Sequence, residues 1–202
     1  MLPDVIDALN VSRETFHALK KYAAMIGQWT THINLIAPST VPDIWHRHIC
    51  DSAQIYPYVA NVASVADLGA GGGLPGIVLA ILGSQNVHLI ESDKRKCVFL
   101  QECVRELALT QKTTIHQKRI ESCESLTVDA VVSRACAPLQ SLLSYASHHR
   151  NSAGKCVFLK GKQIKSEIIV AKAWKLNYTL HPSLTDSEGV ILEIKEMEKR
   201  HD

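Results

Sequence analysis

The stretch VADLGAGGGLPGIVLAI, residues 65 to 81, decides the fold of this chain. It begins as an apolar run typical of a buried strand and ends as an apolar run typical of a buried helix. Five glycines lie between these runs, within the eight positions from Gly69 to Gly76. A glycine-rich turn between a strand and a helix indicates backbone that approaches a ligand closely.

After residue 60, short apolar runs rich in β-branched residues alternate with helical patterns. The strand candidates are residues 64–68, 86–91, 113–117, 129–133, 155–160, 174–180 and 189–195, and the helix candidates are residues 75–83, 93–108, 138–149 and 163–173. This alternation predicts an α/β fold with a mostly parallel seven-strand sheet that carries helices on both faces. Because the last two strands are joined by a short turn, the last strand is predicted to be antiparallel and to form a reversed edge.

The first 60 residues show helical periodicity instead. Apolar residues recur at helical spacing in residues 12–30, and Ser12 is a suitable N-cap for that helix. A second helical stretch is predicted from residue 43 onward. We therefore predict an N-terminal helical segment, residues 1–60, packed on a main domain, residues 61–202, within one globular unit.

Composition excludes several classes of protein. The 202 residues are 46% hydrophobic, which is enough for one sizeable core, and the net charge of +2 leaves no polybasic arm. The apolar runs, about ten residues at most, are too short to span a bilayer. The N-terminal stretch carries two acids and no basic segment, unlike a signal peptide. A soluble, cytoplasmic protein is expected, without a membrane partner.

The cysteines and histidines do not predict a metal site. The six cysteines form no CxxC pair, and the ten histidines have no carboxylate or cysteine cluster at ligand spacing. Without a secretion signal, free buried thiols are the simplest interpretation of the cysteines.

The glycine turn is compatible with two cofactors. The pattern Gly71-x-Gly73-x-x-Gly76 satisfies the dinucleotide fingerprint, and Glu91 lies twenty residues beyond Gly71. An NAD-dependent oxidoreductase is therefore one alternative.

Two details favour S-adenosylmethionine over a dinucleotide. The carboxylate of Asp67 would face a bound pyrophosphate, whereas a ligand with an ammonium or a sulfonium would be attracted to it. Pro75, at the start of the helix, removes an N–H that a phosphate would use. Glu91, at the end of the second strand, would then accept hydrogen bonds from the ribose hydroxyls.

Several segments together resemble one family. DLGAGGGLPGIVLAI, with NLIA and RHICDS upstream and VVSRACAPL and FLKGK downstream, is similar to the RsmG family, also called GidB, of small-subunit ribosomal RNA methyltransferases. The resemblance implies a class I, Rossmann-like methyltransferase fold. It also implies methylation of N7 of one guanine, guanine 527, in the 530 loop of 16S rRNA. The expected partner is 16S rRNA or a precursor of the small subunit rather than DNA, and the expected state is a monomer.

The resemblance also implies roles for individual residues. The cofactor would be bound by Asp67, Gly69, Gly71, Leu74, Glu91, Ile120, Glu121 and Arg134. Among these, Glu91 would hold the ribose, and Ile120 and Glu121 would contact the adenine. Arg134, the expected catalytic residue, would lie near the cofactor carboxylate or the incoming base; a structural ion pair with Asp129 or another acid is the alternative.

A rim of basic residues is the predicted contact with RNA. It comprises Lys94, Arg95, Lys96, Lys118, Arg119, Lys160, Lys162 and Lys165, each near the end of a predicted strand. Phosphate contacts from such a rim would give salt-dependent affinity. Family members often carry an arginine in the final loop, where this chain has Glu188. Arg47 and His48 match the family motif. One interpretation is that they pack the N-terminal helices against the sheet, with Asp51 as their partner.

The motifs that the chain lacks agree with N7 chemistry. Guanine N7 offers a lone pair and no proton, so alignment matters more than a general base. No [ND]PP[YFW] segment is present for an exocyclic amine, and Cys136 has no evident base to make it a nucleophile. A catalytically idle RNA-binding protein with the same fold is the third alternative.

Overall fold

The computed structural model describes residues 5–134 and 136–200 and contains the predicted seven-strand sheet. The strands are β1 (Val65–Leu68), β2 (Val87–Glu91), β3 (Thr113–Gln117), β4 (Val128–Arg134), β5 (Arg150–Lys160), β6 (Trp174–Pro182) and β7 (Val190–Lys199). Their order across the sheet is β3-β2-β1-β4-β5-β7-β6. The α/β class and the mostly parallel sheet with an antiparallel last strand are confirmed.

The position of the reversed strand differs from the prediction. β7 pairs antiparallel with β5 on one side and with β6 on the other, so it is an interior strand and β6 forms the edge. The short connection fixes β6 and β7 as antiparallel neighbours but leaves open which of them contacts β5. Pairing β7 with β5 buries Leu192 and Ile194 completely or almost completely in the core.

The helices flank the sheet on both faces. They are α1 (Val5–Ala8), α2 (Arg13–Thr30), α3 (Asp51–Ala53), α4 (Tyr56–Val59), α5 (Gly76–Leu82), α6 (Lys94–Glu106), α7 (Leu139–His149) and α8 (Ile164–Val170). On one face, α2 packs with α5 and α6 around Leu19, Tyr22 and Phe99. On the other face, α7 packs against β4 and β5. Among the described residues, no helix combines the length and apolar character needed to cross a lipid bilayer.

The helical stretch predicted from residue 43 is confirmed, although it is divided into short helices of different type rather than one regular α-helix. A 3₁₀ helix spans Pro38–Asp43, a π-helical turn spans Trp45–Cys50, and α3 and α4 follow. Pro57 lies in the first turn of α4, where proline is tolerated, but it lacks the N–H that would continue a helix from α3 into α4. The π-helical turn carries Arg47 and His48, which lie beside the site described next.

Candidate active site

The glycine loop lies at the centre of the sheet, where ligands bind in doubly wound folds. It joins the end of β1 to the start of α5 and occupies residues 69–75. The strand order reverses between β1 and β4, which makes the carboxyl end of β1 a topological switch point.

The backbone N–H groups of this loop are mostly used within the protein. Those of Ala70, Gly73 and Leu74 donate to backbone carbonyls. Those of Gly71 and Gly76 donate to the carboxylates of Glu91 and Asp67. A pyrophosphate needs such N–H groups for itself, so this geometry disfavours a dinucleotide.

Glu91 is held in one orientation at the end of β2. Its Oε2 accepts a hydrogen bond from the N–H of Gly71 at 2.9 Å, and its Oε1 accepts one from the N–H of Asp93 at 2.7 Å. Each carboxylate oxygen can accept a further hydrogen bond. The residue thus offers two oriented acceptors beside the loop, which suits the two hydroxyls of a ribose.

Gly71 leaves open space where other loop glycines are enclosed. Its φ is +58°, and a Cβ placed there would meet nothing closer than the carbonyl oxygen of Gly69, at 3.8 Å. A Cβ on Gly76 would lie 2.3 Å from Cδ2 of Leu89. Gly76 is therefore required for packing of the helix on the sheet, whereas Gly71 exposes backbone that a ligand could approach.

Asp67 is fully buried beneath the loop at the end of β1. Its Oδ2 accepts a hydrogen bond from the N–H of Gly76 at 2.8 Å, and its Oδ1 has no partner among the described residues. Burial raises the pKa of Asp67 to about 7, although the Gly76 N–H and the charge of Arg134 oppose this shift. A cationic group nearby would stabilise the ionised form. The loop therefore fits a cofactor with a cationic end and a ribose, as S-adenosylmethionine has.

Cys136 packs directly on the glycine loop. Gly69 has a φ of +69°, and a Cβ there would lie 2.3 Å from Sγ of Cys136. Protein atoms packed around the Cys136 thiol partly desolvate it and raise its pKa, and the carboxylate of Asp67 raises it further. A neutral thiol is a poor nucleophile, in line with the sequence interpretation. The expectation that all the cysteines are buried is wrong at this position, because Cys136 is exposed while the other five are buried.

The two predicted adenine contacts lie after β3, at the same edge of the sheet as the loop. Ile120 and Glu121 form part of a 3₁₀ turn, Ile120–Ser122. Glu121 is exposed and accepts a hydrogen bond from the hydroxyl of Tyr145 at 2.8 Å. Leu74, predicted at the methionine end, is buried in the core beside the loop. The roles of these residues in cofactor binding stay predictions.

Arg134 points toward the N-terminal segment. Its Nη1 donates to Oδ2 of Asp51 and to the carbonyl oxygen of Arg47, both at 3.2 Å. The ion-pair alternative is therefore realised with Asp51, while Asp129 binds the hydroxyl of Ser64 at 2.9 Å. Since the Arg134 side chain is only 17% exposed, this pair is more than a solvated surface contact.

The partners of His48 determine its tautomer. Nη2 of Arg134 lies 3.0 Å from Nδ1 of His48, and Oγ1 of Thr40 lies 2.7 Å from its Nε2. A guanidinium only donates, so Nδ1 accepts and Nε2 carries the proton that is donated to Thr40. Burial lowers the pKa of His48 to about 4, and the charges of Arg134 and Arg47 contribute. His48 is accordingly neutral at neutral pH.

Asp51 also connects the final loop to this cluster. Its Oδ1 accepts hydrogen bonds from the hydroxyl of Thr185 at 2.7 Å and from Nε2 of Gln54 at 2.9 Å. Gln54 in turn accepts one from the N–H of Leu184 at 2.8 Å. Sequence reasoning missed this role, although the RHICDS segment contains Asp51.

The predicted basic rim divides into two groups. Lys94, Arg95 and Arg119 are exposed and follow β2 and β3. Lys160 ends β5 and Lys162 follows it, on the other side of the glycine loop. The Lys162 side chain is 70% exposed and lies 3.4 Å from Glu188. The Lys160 side chain is only 10% exposed, and its Nζ lies 2.7 Å from Oε2 of Glu167. Contact of these residues with RNA stays a prediction.

A pocket of about 590 Å³ lies beside the loop, between the N-terminal segment, the ends of β4 and β5 and the final loop. Its walls include Leu35, Arg134, Lys160, Glu167 and Thr185. Leu35 also packs against the glycine loop, since a Cβ on Gly72 would lie 3.4 Å from the Cβ of Leu35. The sequence does not predict this pocket, because its walls come from four distant segments. In the described part of the chain, no group of three or more His, Cys, Asp or Glu side chains is placed to bind a metal ion.

The chain is similar to known proteins over nearly its whole length. Residues 15–196 match the GidB family, described as rRNA small subunit methyltransferase G. The chain is 42% identical to the ribosomal RNA small subunit methyltransferase G of Paramagnetospirillum magneticum, over 97% of this chain and 96% of that protein.

Two solved structures share the fold. A ribosomal protein L11 methylase from Lactobacillus delbrueckii subsp. bulgaricus has a TM-score of 0.60 and 16% identity, over 77% of this chain and 80% of that chain. TYW2 of M. jannaschii, in complex with AdoMet, has a TM-score of 0.54 and 15% identity, over 94% of this chain and 78% of that chain.

Proposed function

The chain belongs to the rRNA small subunit methyltransferase G family, and we propose that it transfers a methyl group from S-adenosylmethionine to N7 of one guanine in the 530 loop of 16S rRNA. The observation that carries the cofactor assignment is the acidic glycine loop. Most of its N–H groups are used internally, while Asp67 and Glu91 offer carboxylates to a cationic, ribose-bearing ligand.

Each loop residue has a defined task in this proposal. Glu91 accepts hydrogen bonds from the ribose hydroxyls, and the open backbone at Gly71 allows the cofactor to approach. Asp67 favours the cationic end of the cofactor by its charge. When bound, the cofactor supplies an electrophilic methyl group on sulfur.

The chemistry on the RNA requires alignment rather than proton transfer. N7 of guanine attacks with its own lone pair, so the protein does not need a general base. His48 and Cys136, which lie near the loop, are also unsuited to act as a general base. The lone pair of His48 Nδ1 accepts from Arg134, and the raised pKa of Cys136 favours its protonated thiol.

Arg134 is proposed to act as a positioning residue. Through Asp51 and the carbonyl of Arg47 it holds the N-terminal segment against the end of β4, beside the pocket. An RNA base that enters this pocket would thereby meet a fixed wall. The exposed residues Lys94 and Arg119 are proposed to contact phosphates at the other side of the loop.

The proposal is tested with RNA that lacks the nucleophile. We expect transfer of labelled methyl to the small-subunit RNA, offered both naked and in subunits, and no transfer when the target guanine is replaced by 7-deazaguanine. Transfer to the 7-deaza RNA would refute N7 as the acceptor. Binding of NADH in place of S-adenosylhomocysteine would refute the cofactor assignment and support an oxidoreductase.

A further inference from the structure

Lys160 and Glu167 form an ion pair in the wall of the pocket rather than on the outer surface. The ammonium of Lys160 donates to Oε2 of Glu167 at 2.7 Å and to the carbonyl oxygen of Ala137 at 3.2 Å. The same Oε2 accepts a hydrogen bond from the N–H of Leu139 at 2.6 Å. The two side chains are 10% and 24% exposed, so the pair is held in place with one side facing the pocket.

Both partners keep hydrogen-bonding capacity for a ligand. An ammonium has three donors, and two of those of Lys160 are used by Glu167 and Ala137. Oε1 of Glu167 accepts no hydrogen bond from the residues that the structure describes, whereas Oε2 accepts two. The pocket therefore presents a donor and an acceptor side by side.

This arrangement suits a base better than a phosphate. Each cationic side chain in the pocket wall is already paired with a carboxylate, so none is left unpaired for a phosphate. The pairs are Arg47 with Asp186, Arg134 with Asp51, Lys160 with Glu167 and Lys162 with Glu188. Guanine carries an acceptor, O6, next to a donor, N1–H, with a second donor group at N2. Adenine has the opposite order, with a donor at N6 next to an acceptor at N1.

We propose that Lys160 and Glu167 select guanine by binding its Watson–Crick edge in this pocket, Lys160 donating to O6 and Glu167 accepting from N1–H and N2–H. This inference rests on the proposed function, and it adds the residues that distinguish the target base from adenine. Adenine also has an N7 lone pair, so alignment of N7 by itself does not distinguish the two bases. An enzyme that acts on an RNA base reads the unstacked base by its Watson–Crick edge.

The pocket borders the proposed cofactor site. Leu35 lines the pocket and packs against the glycine loop, and Arg134 lines the pocket at the end of β4, the strand next to β1. Ala137, the carbonyl partner of Lys160, follows Cys136, which packs on Gly69. A base bound to Lys160 and Glu167 is therefore near the loop that would hold the methyl donor.

The test compares small-subunit RNA that carries guanine, inosine or adenine at the target position. The wild-type protein is expected to methylate guanine best, inosine less well because N2–H is missing, and adenine least. Glu167→Gln retains an oxygen for the N–H of Leu139 and adds an amide N–H that can donate to N1 of adenine. We expect it to lower kcat/KM for guanine by roughly 10- to 100-fold. The guanine-to-adenine ratio is expected to fall by at least about tenfold.

The control is Glu198→Gln, which makes the same change at an exposed site on β7 and should leave both rates unchanged. Glu167→Gln should still bind S-adenosylhomocysteine with wild-type affinity. If that variant does not fold, Lys160→Gln is used, and the same fall in the ratio is expected. An unchanged guanine-to-adenine ratio, or an equal loss for all three bases, would refute base selection and leave the pair as a structural brace.

Failure of the proposed function would give a different result. In that case the wild-type protein transfers no methyl to any of the RNAs. The affinity of the protein for guanine- and adenine-bearing RNA then tests the pocket directly, because Glu167→Gln should still reduce the preference for guanine. Equal affinity of the wild-type protein for both RNAs would refute the inference.

Discussion

The hydroxyl of Tyr22, in α2, donates a hydrogen bond to the carbonyl oxygen of Gly72 in the glycine loop, and both residues are buried. The N-terminal helical segment thus contributes directly to the conformation of the loop. Burial also raises the pKa of Tyr22 well above its ordinary value, so the hydroxyl stays protonated and remains a donor.

Removing this hydroxyl should destabilise the loop. Tyr22→Phe leaves the Gly72 carbonyl without its partner, and we expect a loss of about 1 kcal/mol in the free energy of unfolding. Weaker binding of S-adenosylhomocysteine should accompany that loss. Urea unfolding and calorimetry measure the two effects, and Tyr178→Phe, at an exposed tyrosine, is the matched control. Equal stability of both variants would show that the contact contributes nothing.

Arg134 and Asp51 should be energetically coupled. We expect Arg134→Ala and Asp51→Asn to be non-additive in a double-mutant cycle, with a coupling of roughly 0.5–3 kcal/mol, because the pair is largely shielded from solvent. Arg134→Ala should lower methyl transfer more than it lowers cofactor affinity. Wild-type turnover by a folded Arg134→Ala protein would remove the residue from the mechanism.

His48 should make the protein less stable in acid. Its folded-state pKa of about 4 lies below the ordinary 6.5, so the folded protein binds fewer protons than the unfolded chain between these values. The contribution is fully present above pH 6.5 and is lost as the pH falls toward 4. His48→Gln should flatten this part of the stability curve, whereas His32→Gln, at an exposed histidine, should not. Parallel wild-type and His48→Gln curves would contradict the assignment.

Asp67 should make cofactor binding dependent on pH. Since its pKa is raised to about 7, a cationic ligand that requires the ionised form should bind more tightly as the pH rises through this value. Affinity should fall about tenfold at one pH unit below the pKa. Titration calorimetry between pH 6 and pH 8.5 measures the effect, and Asp67→Asn should abolish it. The same pH dependence in Asp67→Asn would assign the effect to another group.

The reactivity of Cys136 toward a thiol reagent should show whether the glycine loop holds the cofactor, although Cys136 takes no part in the reaction. It is the exposed cysteine among the described residues and packs on Gly69. Bound S-adenosylhomocysteine should slow its alkylation by a thiol reagent, which mass spectrometry of the labelled peptide would detect. Cys136→Ser should retain most of the methyl transfer. Loss of transfer in Cys136→Ser with normal cofactor binding would instead indicate a nucleophilic role.

The sheet and the glycine loop could be predicted from the sequence because the patterns that indicate them lie within short segments. Alternating apolar runs locate β1 to β5, and the five glycines with Glu91 twenty residues beyond Gly71 locate the loop. Interactions between segments that are distant in the sequence could not be predicted. The pairing of β7 with β5, and the interruption between α3 and α4, depend on neighbours or turns that a periodicity pattern does not encode.

The ion-pair partners of the charged residues were also not predictable from the sequence. The sequence predicts a catalytic role for Arg134, but not its partner Asp51, which lies 83 residues away in the sequence. Lys160 was predicted to be a phosphate contact because it ends an apolar strand, and only the fold places Glu167 beside it in a pocket. A sequence pattern identifies which groups are present, whereas the fold determines which of them meet.

The position of the methyl group on the RNA decides whether the protein is a guanine-N7 methyltransferase. Labelled S-adenosylmethionine is incubated with unmodified small-subunit RNA and the protein, and the product is treated with borohydride and aniline, which cleave at N7-methylguanine. We expect label and cleavage at a single guanine in the 530 loop. Label without cleavage would contradict N7 methylation, and a folded, cofactor-bound protein that gives no label would contradict the enzyme itself.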